Sequence, residues 1–473
     1  MKKLLIIFSV LFIASALQAK VKLPEIIGNN MVLQQDTQVK LWGKAKANTT
    51  VHVKASWESR TFSTTAGSDG KWIILVPTPK ATYKPQSIEL SDGEISVINN
   101  ILIGEVWFCS GQSNMEMPLN GFWNNPIQGA NGIIANAAQY KGLRFVNIER
   151  AAAPTPQETA KGTWRESTPE TLQWCSATAF FFAAALEKAL GVPVGIINCS
   201  WGGSRVEGWL PKEILDNYPD VDVNKEVNGN EKEEYLKPVI MYNGMLKPLQ
   251  NYTIKGFLWY QGESNVGHHK TYPDRLATMV DLWRTEWALG ELPFYYVEIA
   301  PFAYGDKDAD WGARLREAQF KAQSLIPNSG MITTNDLVEP YEFDNVHPKN
   351  KTTVGKRLCY MALANTYGFK GIADRGPAYT SMQVKDGKAY LTFNNAGDGY
   401  NRMNGIAGFE IAGDDKVFYP AKAEVGHNKE IIVSSDAVAT PVAVRYAFRN
   451  VLIGNLCNTR EQPVYPFRTD SWE

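Results

Sequence analysis

A charge surplus, a long interior apolar run, and any abundance of histidine or cysteine are all missing from this chain of 473 residues. Lys plus Arg number 48 and Asp plus Glu 49, so no net field draws polyanions or an acidic membrane face. No basic stripe is present either, which argues against nucleic acid as a partner. Past the N-terminus no segment holds the eighteen or so uninterrupted apolar residues of a membrane helix, so no membrane partner is expected. The five cysteines, Cys109, Cys175, Cys199, Cys359 and Cys457, are odd in number and far apart, with no CxxC or Cys/His cluster. That spacing excludes a disulfide framework and a zinc site; at most one pair could bridge, and none is expected to. Internal repeats and low-complexity tracts are absent as well.

What is present begins with a leader. Lys2 and Lys3 form a basic start, Leu4 to Ala16 is apolar apart from two serines, and small residues lead to a cut after Ala19, with Ala16 the second choice. Residues 1–19 therefore read as a signal peptide, and the mature chain is expected in the periplasm or outside the cell. The chain is rich in rings, with 14 Trp and 20 Tyr. Such rings pack on the apolar face of a sugar, although they fill cores equally well.

Three textures follow one another. Residues 20 to about 103 alternate in strand fashion, as in Gln38-Val39-Lys40-Leu41-Trp42, with turn clusters such as Gly67-Ser68-Asp69-Gly70, and predict a small antiparallel sandwich. From 104 to 368, apolar runs at 105–109, 143–148, 192–198, 255–260, 294–299 and 331–334 alternate with helical patterns at 179–190, 272–289, 313–325 and 351–367. Strand–helix alternation of this length predicts an α/β core, a parallel sheet covered on both faces. Residues 211–250, rich in charge and Asn, read as an insertion. From 369 to 473 strands return at 389–393, 430–434 and 442–448, giving a second all-β module.

In open α/β sheets ligands bind at the carboxyl ends of the strands, and three segments lie at such ends. Cys109-Ser110-Gly111-Gln112-Ser113-Asn114-Met115 follows the first strand. A serine at a strand-to-helix turn presents its hydroxyl to the cleft, with backbone amides facing an incoming carbonyl. It is not the G-x-S-x-G elbow, because Met115 stands where the second glycine belongs; a helix-capping serine is the plainer alternative. Asp344-Asn345-Val346-His347-Pro348 follows the last strand, and an Asp three residues from a His can orient it. Of the five histidines, His52 and His427 lie in the β modules and His268 and His269 sit together in one loop, so only His347 has a carboxylate at useful spacing. In Trp259-Tyr260-Gln261-Gly262-Glu263-Ser264-Asn265, amide side chains could donate to an oxyanion, as could the Gly202-Gly203 backbone.

Taken together, Gly111-Gln112-Ser113-Asn114-Met115, Gly202-Gly203-Ser204, Gln261-Gly262-Glu263-Ser264-Asn265 and Asp344-x-x-His347-Pro348 resemble the signature blocks of sialate O-acetylesterases, which belong with the SGNH-type hydrolases. The blocks match in order over about 240 residues, and the close of the chain, from Asn455-Leu456-Cys457-Asn458 to Pro466-Phe467-Arg468-Thr469-Asp470, is similar to the family's C-terminal ends. The resemblance implies an SGNH/flavodoxin-like three-layer core and a serine esterase acting on an acetylated sugar or sialoglycan without metal or organic cofactor. It implies Ser113 as nucleophile, His347 as base and Asp344 as its orienting acid. It also implies an oxyanion hole from the Ser113 amide, Gly203 and a side chain of the third block. That block departs from the general G-x-N-D form, which leaves Gln261 and Asn265 both eligible; Gln261, nearer the strand end, is favoured. Arg205 is a candidate grip for a sialate carboxylate, and Glu263 and Asn265 are candidate substrate contacts. Two other readings stay open: acetyl removal from another glycan such as xylan or pectin, and a non-catalytic carbohydrate-binding protein.

Overall fold

The computed structural model describes residues 20–229 and 232–472; the leader expected over residues 1–19 lies outside them. The apolar run that opens the second texture is part of one long strand, β1 (Ile95–Gly111). Its first half pairs antiparallel with Thr82–Ser91, and Val32–Gln34 lies parallel beside Leu102–Gly104. Its second half is the middle of a parallel sheet with β2 (Leu143–Asn147), β3 (Val194–Ser200), β4 (Gly256–Tyr260), β5 (Phe294–Val297) and β6 (Ser329–Ile332), in the order β6-β5-β4-β1-β3-β2. The N-terminal sheet and the central sheet thus share a strand rather than a linker.

Five helices matter for the site: α1 (Ser113–Glu116), α2 (Ala177–Leu190), α3 (Tyr272–Trp287), α4 (Trp311–Ala322) and α5 (Lys351–Asn365). Alternate side chains of the strands point to opposite faces. Phe108, Phe257 and Tyr296 pack in one core with Trp283 and Trp287 of α3. Trp107, Leu258 and Tyr295 pack in the other with Phe180 and Phe182 of α2 and Leu358 and Met361 of α5. The sheet is therefore the middle of three layers, which is why its strands read as unbroken apolar runs. Each of these large side chains contributes about 1.5–3 kcal/mol through burial. Ser176 caps α2 by accepting from the Ala179 amide, and Asn350 caps α5 by accepting from the Thr353 amide. From β1 the chain adds β2 and β3 on one side and then β4, β5 and β6 on the other. The carboxyl end of β1 is thus a topological switch point, the place where an open α/β sheet leaves a crevice for ligands.

Gln38–Lys44 pairs with Lys71–Pro77 as a separate two-stranded sheet in the N-terminal part. The C-terminal part holds two four-stranded sheets around its own core, including Leu391, Ile411, Val433 and Val444. It is tied to the central layer by the bidentate Arg468–Glu317 pair, both bonds at 3.0 Å, and by Asn335, which donates to Leu452 O at 3.1 Å. Within the stretch read as an insertion, residues 239–249 are buried apart from Lys247, and Met241, Met245 and Leu249 join the α3-side core. Their helical spacing was masked by the charged and Asn-rich residues before them. All five cysteines are free thiols.

Candidate active site

Gly111 ends β1 with φ +138°, and a Cβ there would stand 2.1 Å from the Tyr260 carbonyl oxygen. Only glycine lets the ends of β1 and β4 approach so closely. The next residues turn away: Gln112 is extended and Ser113 opens α1. This places Ser113 at the switch point, half-buried, in a cleft of about 500 Å³ whose walls include Gln112, Glu116, Phe122, Arg150, Gly203 and His347. Among the described residues, the amides of Ser113 and Gly203 find no acceptor in the protein. Gly203 has φ +80°, and a Cβ on it would stand 2.5 Å from the Tyr235 ring. The neighbouring Gly202 amide is already used, donating to Glu116 Oε2 at 2.7 Å.

His347 comes from the loop before α5. Its ring meets Phe122 edge-on, centroids 5.3 Å apart, and its Nε2 is buried without a hydrogen-bond partner. Burial first, and then the positive charge of Lys351, push the imidazole down to about 4. Asp344 is exposed, lines an adjoining hollow, and makes no hydrogen bond or ion pair among the described residues. The loop's other carboxylates are engaged: Asp336 holds Arg357 in a bidentate pair, and Glu342 accepts from the amides of residues 339 and 349.

Behind the nucleophile lies a buried polar cluster whose parts come from three distant segments. Asn114 Nδ2 donates to Glu263 Oε1 at 2.6 Å and to the Val346 carbonyl at 3.0 Å. Lys351 Nζ donates to Asn114 Oδ1 at 2.6 Å and lies 5.6 Å from the centroid of the Tyr260 ring. Burial drives both ionisable ends toward neutrality, the Glu263 carboxyl upward and the Lys351 ammonium down to about 7. Glu263 Oε2 has no hydrogen-bond partner among the described residues. Glu263 also lines the cleft.

Three expected site residues are placed elsewhere. Gln261 is fully buried and its amide is committed: Nε2 donates to Ser204 O at 3.0 Å and Asn265 Oδ1 at 2.7 Å, while Oε1 accepts from Tyr272 at 3.0 Å. It has no proton left for an oxyanion. Asn265 is a bracket too, accepting from the Val206 amide at 3.0 Å and donating to Glu207 at 3.0 Å. Arg205 donates through Nε to Ser264 O at 3.2 Å and is not among the cleft-lining residues. The cation in the cleft is Arg150, held by Glu116 through bonds of 2.7 and 2.6 Å. A Cβ built on Gly202 would lie 3.3 Å from Ser113 Cβ and 3.7 Å from an Arg150 terminal nitrogen, so the three are close neighbours. Gln112 replaces Gln261 at the cleft wall. Its side-chain Oε1 accepts from the Gly262 amide at 3.0 Å, and among the described residues Nε2 has no acceptor. Arg150 stands in no motif, and Gln112, Asn114 and Glu116 lie in or beside the serine block, where spacing assigns them no role.

A family model for carbohydrate esterases, the sialic acid-specific acetylesterases, matches residues 103–364. The chain belongs to that family. The human sialate O-acetylesterase is 27% identical over 485 residues, covering 93% of this chain and 89% of the human one. The rat protein of the same description is 25% identical, covering 89% and 88%. Among solved structures, a carbohydrate acetylesterase from Xanthomonas citri is 32% identical with a TM-score of 0.85, covering 96% of this chain and all of that one. The chain is accordingly a carboxylic ester hydrolase with the SGNH-like α/β core and flanking all-β sheets expected of it.

Proposed function

We propose that this esterase removes O-acetyl groups from sialic acid by two-step acyl transfer. The supporting observation is that one cleft gathers Ser113, two acceptorless amides at Ser113 and Gly203, and His347 with an unpartnered Nε2. Ser113 Oγ attacks the acetyl carbonyl while His347 takes its proton, and the two amides receive the developing oxyanion. The tetrahedral intermediate collapses, the sugar oxygen leaves with the proton from His347, and Ser113 carries the acetyl group. Water then gives its proton to His347, attacks the acyl-enzyme, and frees acetate and Ser113. Asp344 is the acid of the triad: it is the carboxylate three residues before His347, and both line the same hollow. Gln112 Nε2 takes the donor role expected of Gln261.

A sialate carboxylate needs a cation close to the nucleophile, and Arg150 is the one in the cleft. Acetyl removal from a different glycan uses the same chemistry, and the likeness to an enzyme described only as a carbohydrate acetylesterase favours keeping it as the second reading. Export after cleavage behind Ala19 rests on the basic and then apolar start of the chain. Hydrolysis of p-nitrophenyl acetate tests the esterase reading: activity that His347→Ala abolishes and His268→Ala/His269→Ala spares supports it, and a wild type without activity refutes it. Acetylated sialic acid beside acetylated xylan then decides the sugar.

A further inference from the structure

The cleft does not end at His347. Phe302, Val346 and His347 are walls of both the cleft and a second hollow of about 460 Å³, so the two adjoin. The far wall of this hollow is the turn that carries Asn124, Asn125 and Pro126, and its rim includes Tyr341. That turn is rigid. Phe122 and Asn125 exchange both backbone bonds at 3.0 Å, Asn124 sits in the left-handed region with φ 57°, and Asn125 Nδ2 donates to Trp123 O at 2.7 Å. Its geometry sends adjacent rings to opposite places: Phe122 faces inward against His347, while Trp123 is displayed to solvent.

Trp123 is 87% exposed and Tyr341 72%, the two most exposed large hydrophobic side chains among the described residues. Both belong to segments that bound the same hollow. An indole in water at this exposure gains nothing for folding, because no apolar surface of the protein covers it. It is well suited to stacking on the C–H face of a sugar, while the side-chain amides of Asn124 and Asn125 can take hydroxyls. Tyr341 is held in place by Lys349, whose ammonium bonds its hydroxyl and lies 4.7 Å from the ring centroid.

We infer that this hollow is a subsite for a second sugar residue, glycosidically joined to the residue whose acetyl group lies at Ser113, so that the enzyme works on acetylated glycan chains in preference to free acetylated monosaccharides. The inference rests on the Ser113–His347 reading, because only then does the shared wall link the hollow to the reacting ester. The hollow has room for a sugar ring, and its shared wall with the cleft argues for an occupant that belongs to the same substrate molecule.

The test compares kcat/KM for O-acetylated sialic acid with the same residue in O-acetylated sialyllactose, and for O-acetylated glucose with O-acetylated cellobiose. Hydrolysis of p-nitrophenyl acetate is the reference. Wild type is expected to favour the disaccharide in at least one pair. Trp123→Ala and Tyr341→Ala should each raise KM for that disaccharide roughly three- to tenfold, with kcat and the monosaccharide rate held. Trp123→Phe and Tyr341→Phe, which keep a ring, should recover most of the loss. A wild type that cleaves the aryl acetate yet favours monosaccharides in both pairs overturns the subsite and leaves the active-site reading intact. So does an unchanged disaccharide preference in both alanine variants. A wild type inactive on the aryl acetate overturns both.

Discussion

Replacing Lys351 with methionine removes the one charge that acts directly on His347 and keeps an unbranched side chain in a fully buried position. In the native protein the imidazole titrates at about 4 instead of 6.5. The kcat/KM profile reports the free enzyme, so its acid limb should lie near pH 4. At pH 5.5 a ring of pKa 4 is about 97% neutral, against about 9% for one of 6.5, roughly a tenfold difference in available base. Lys351 titrates near 7, so it is protonated wherever the imidazole is taking up its proton, and its repulsion acts across the whole acid limb. Removing it must therefore move the limb upward. Burial is the larger cause of the depression and survives the substitution, so the rise is less than half of the full gap, about one pH unit. Glu116, Arg150, Glu263 and Tyr304 share the cleft and are unchanged in the variant. The assay is kcat/KM for an aryl acetate from pH 3.5 to 9, with thermal melts beside it, because Asn114 Oδ1 loses its donor at a cost of about 1–3 kcal/mol. A wild-type limb at 6.5 or above, or a limb that moves down in Lys351→Met, refutes the reasoning. The same depression has a linkage sign: between about 4 and 6.5 the unfolded chain binds a proton that the folded chain does not, so stability falls as pH drops through that window.

Asp344→Asn should lower kcat by about 10³- to 10⁴-fold; near-normal turnover would pass the orienting role to Glu263, whose Oε2 is buried without a partner. Gln112→Ala should reduce kcat by about 10²-fold at nearly constant KM, the loss of one oxyanion donor. Gln261→Ala, by contrast, should chiefly lower the melting temperature, because its amide braces Ser204 and Asn265; the reverse pattern in kinetics and melts would restore Gln261 to the oxyanion hole. Arg150→Met should raise KM for acetylated sialic acid roughly tenfold or more while Arg205→Met does not, and equal effects on a neutral acetylated sugar would remove the carboxylate role from Arg150.

The layered fold was legible because strands buried on both faces must be apolar throughout and amphipathic helices must alternate with them. Ser113 and His347 drew attention for a related reason: Ser113 opens the turn directly after β1, and His347 stands in the long loop between β6 and α5, on the side of the sheet where such loops bring chemistry to one edge. Orientation was not legible. Gln261 and Gln112 both adjoin strand ends, and nothing in spacing tells which amide meets the cleft. The choice is made by partners 50 to 150 residues away, Ser204 for one and Gly262 for the other. Arg205 and Arg150 differ in the same way, since Ser264 O draws one guanidinium and Glu116 the other. The burial of Met241 and Met245 was hidden by the polar residues on their N-terminal side.

Asn114 shows why such blocks recur together in one chain. A buried ammonium and carboxyl in direct contact would lose more hydration than their attraction returns unless every remaining hydrogen-bonding group were also satisfied. Here a neutral amide stands between them, donating to Glu263 and accepting from Lys351, and its Nδ2 also reaches the Val346 carbonyl beside the base. One side chain, adjacent in sequence to Ser113, thereby fixes the serine turn, the third block and the His347 loop with respect to one another. Changing any one member leaves a buried polar group without its partner. Interdependence of this kind means that the serine, Glu263 and His347 segments are constrained as a set, although 149 and 232 residues separate Asn114 from its two acceptors.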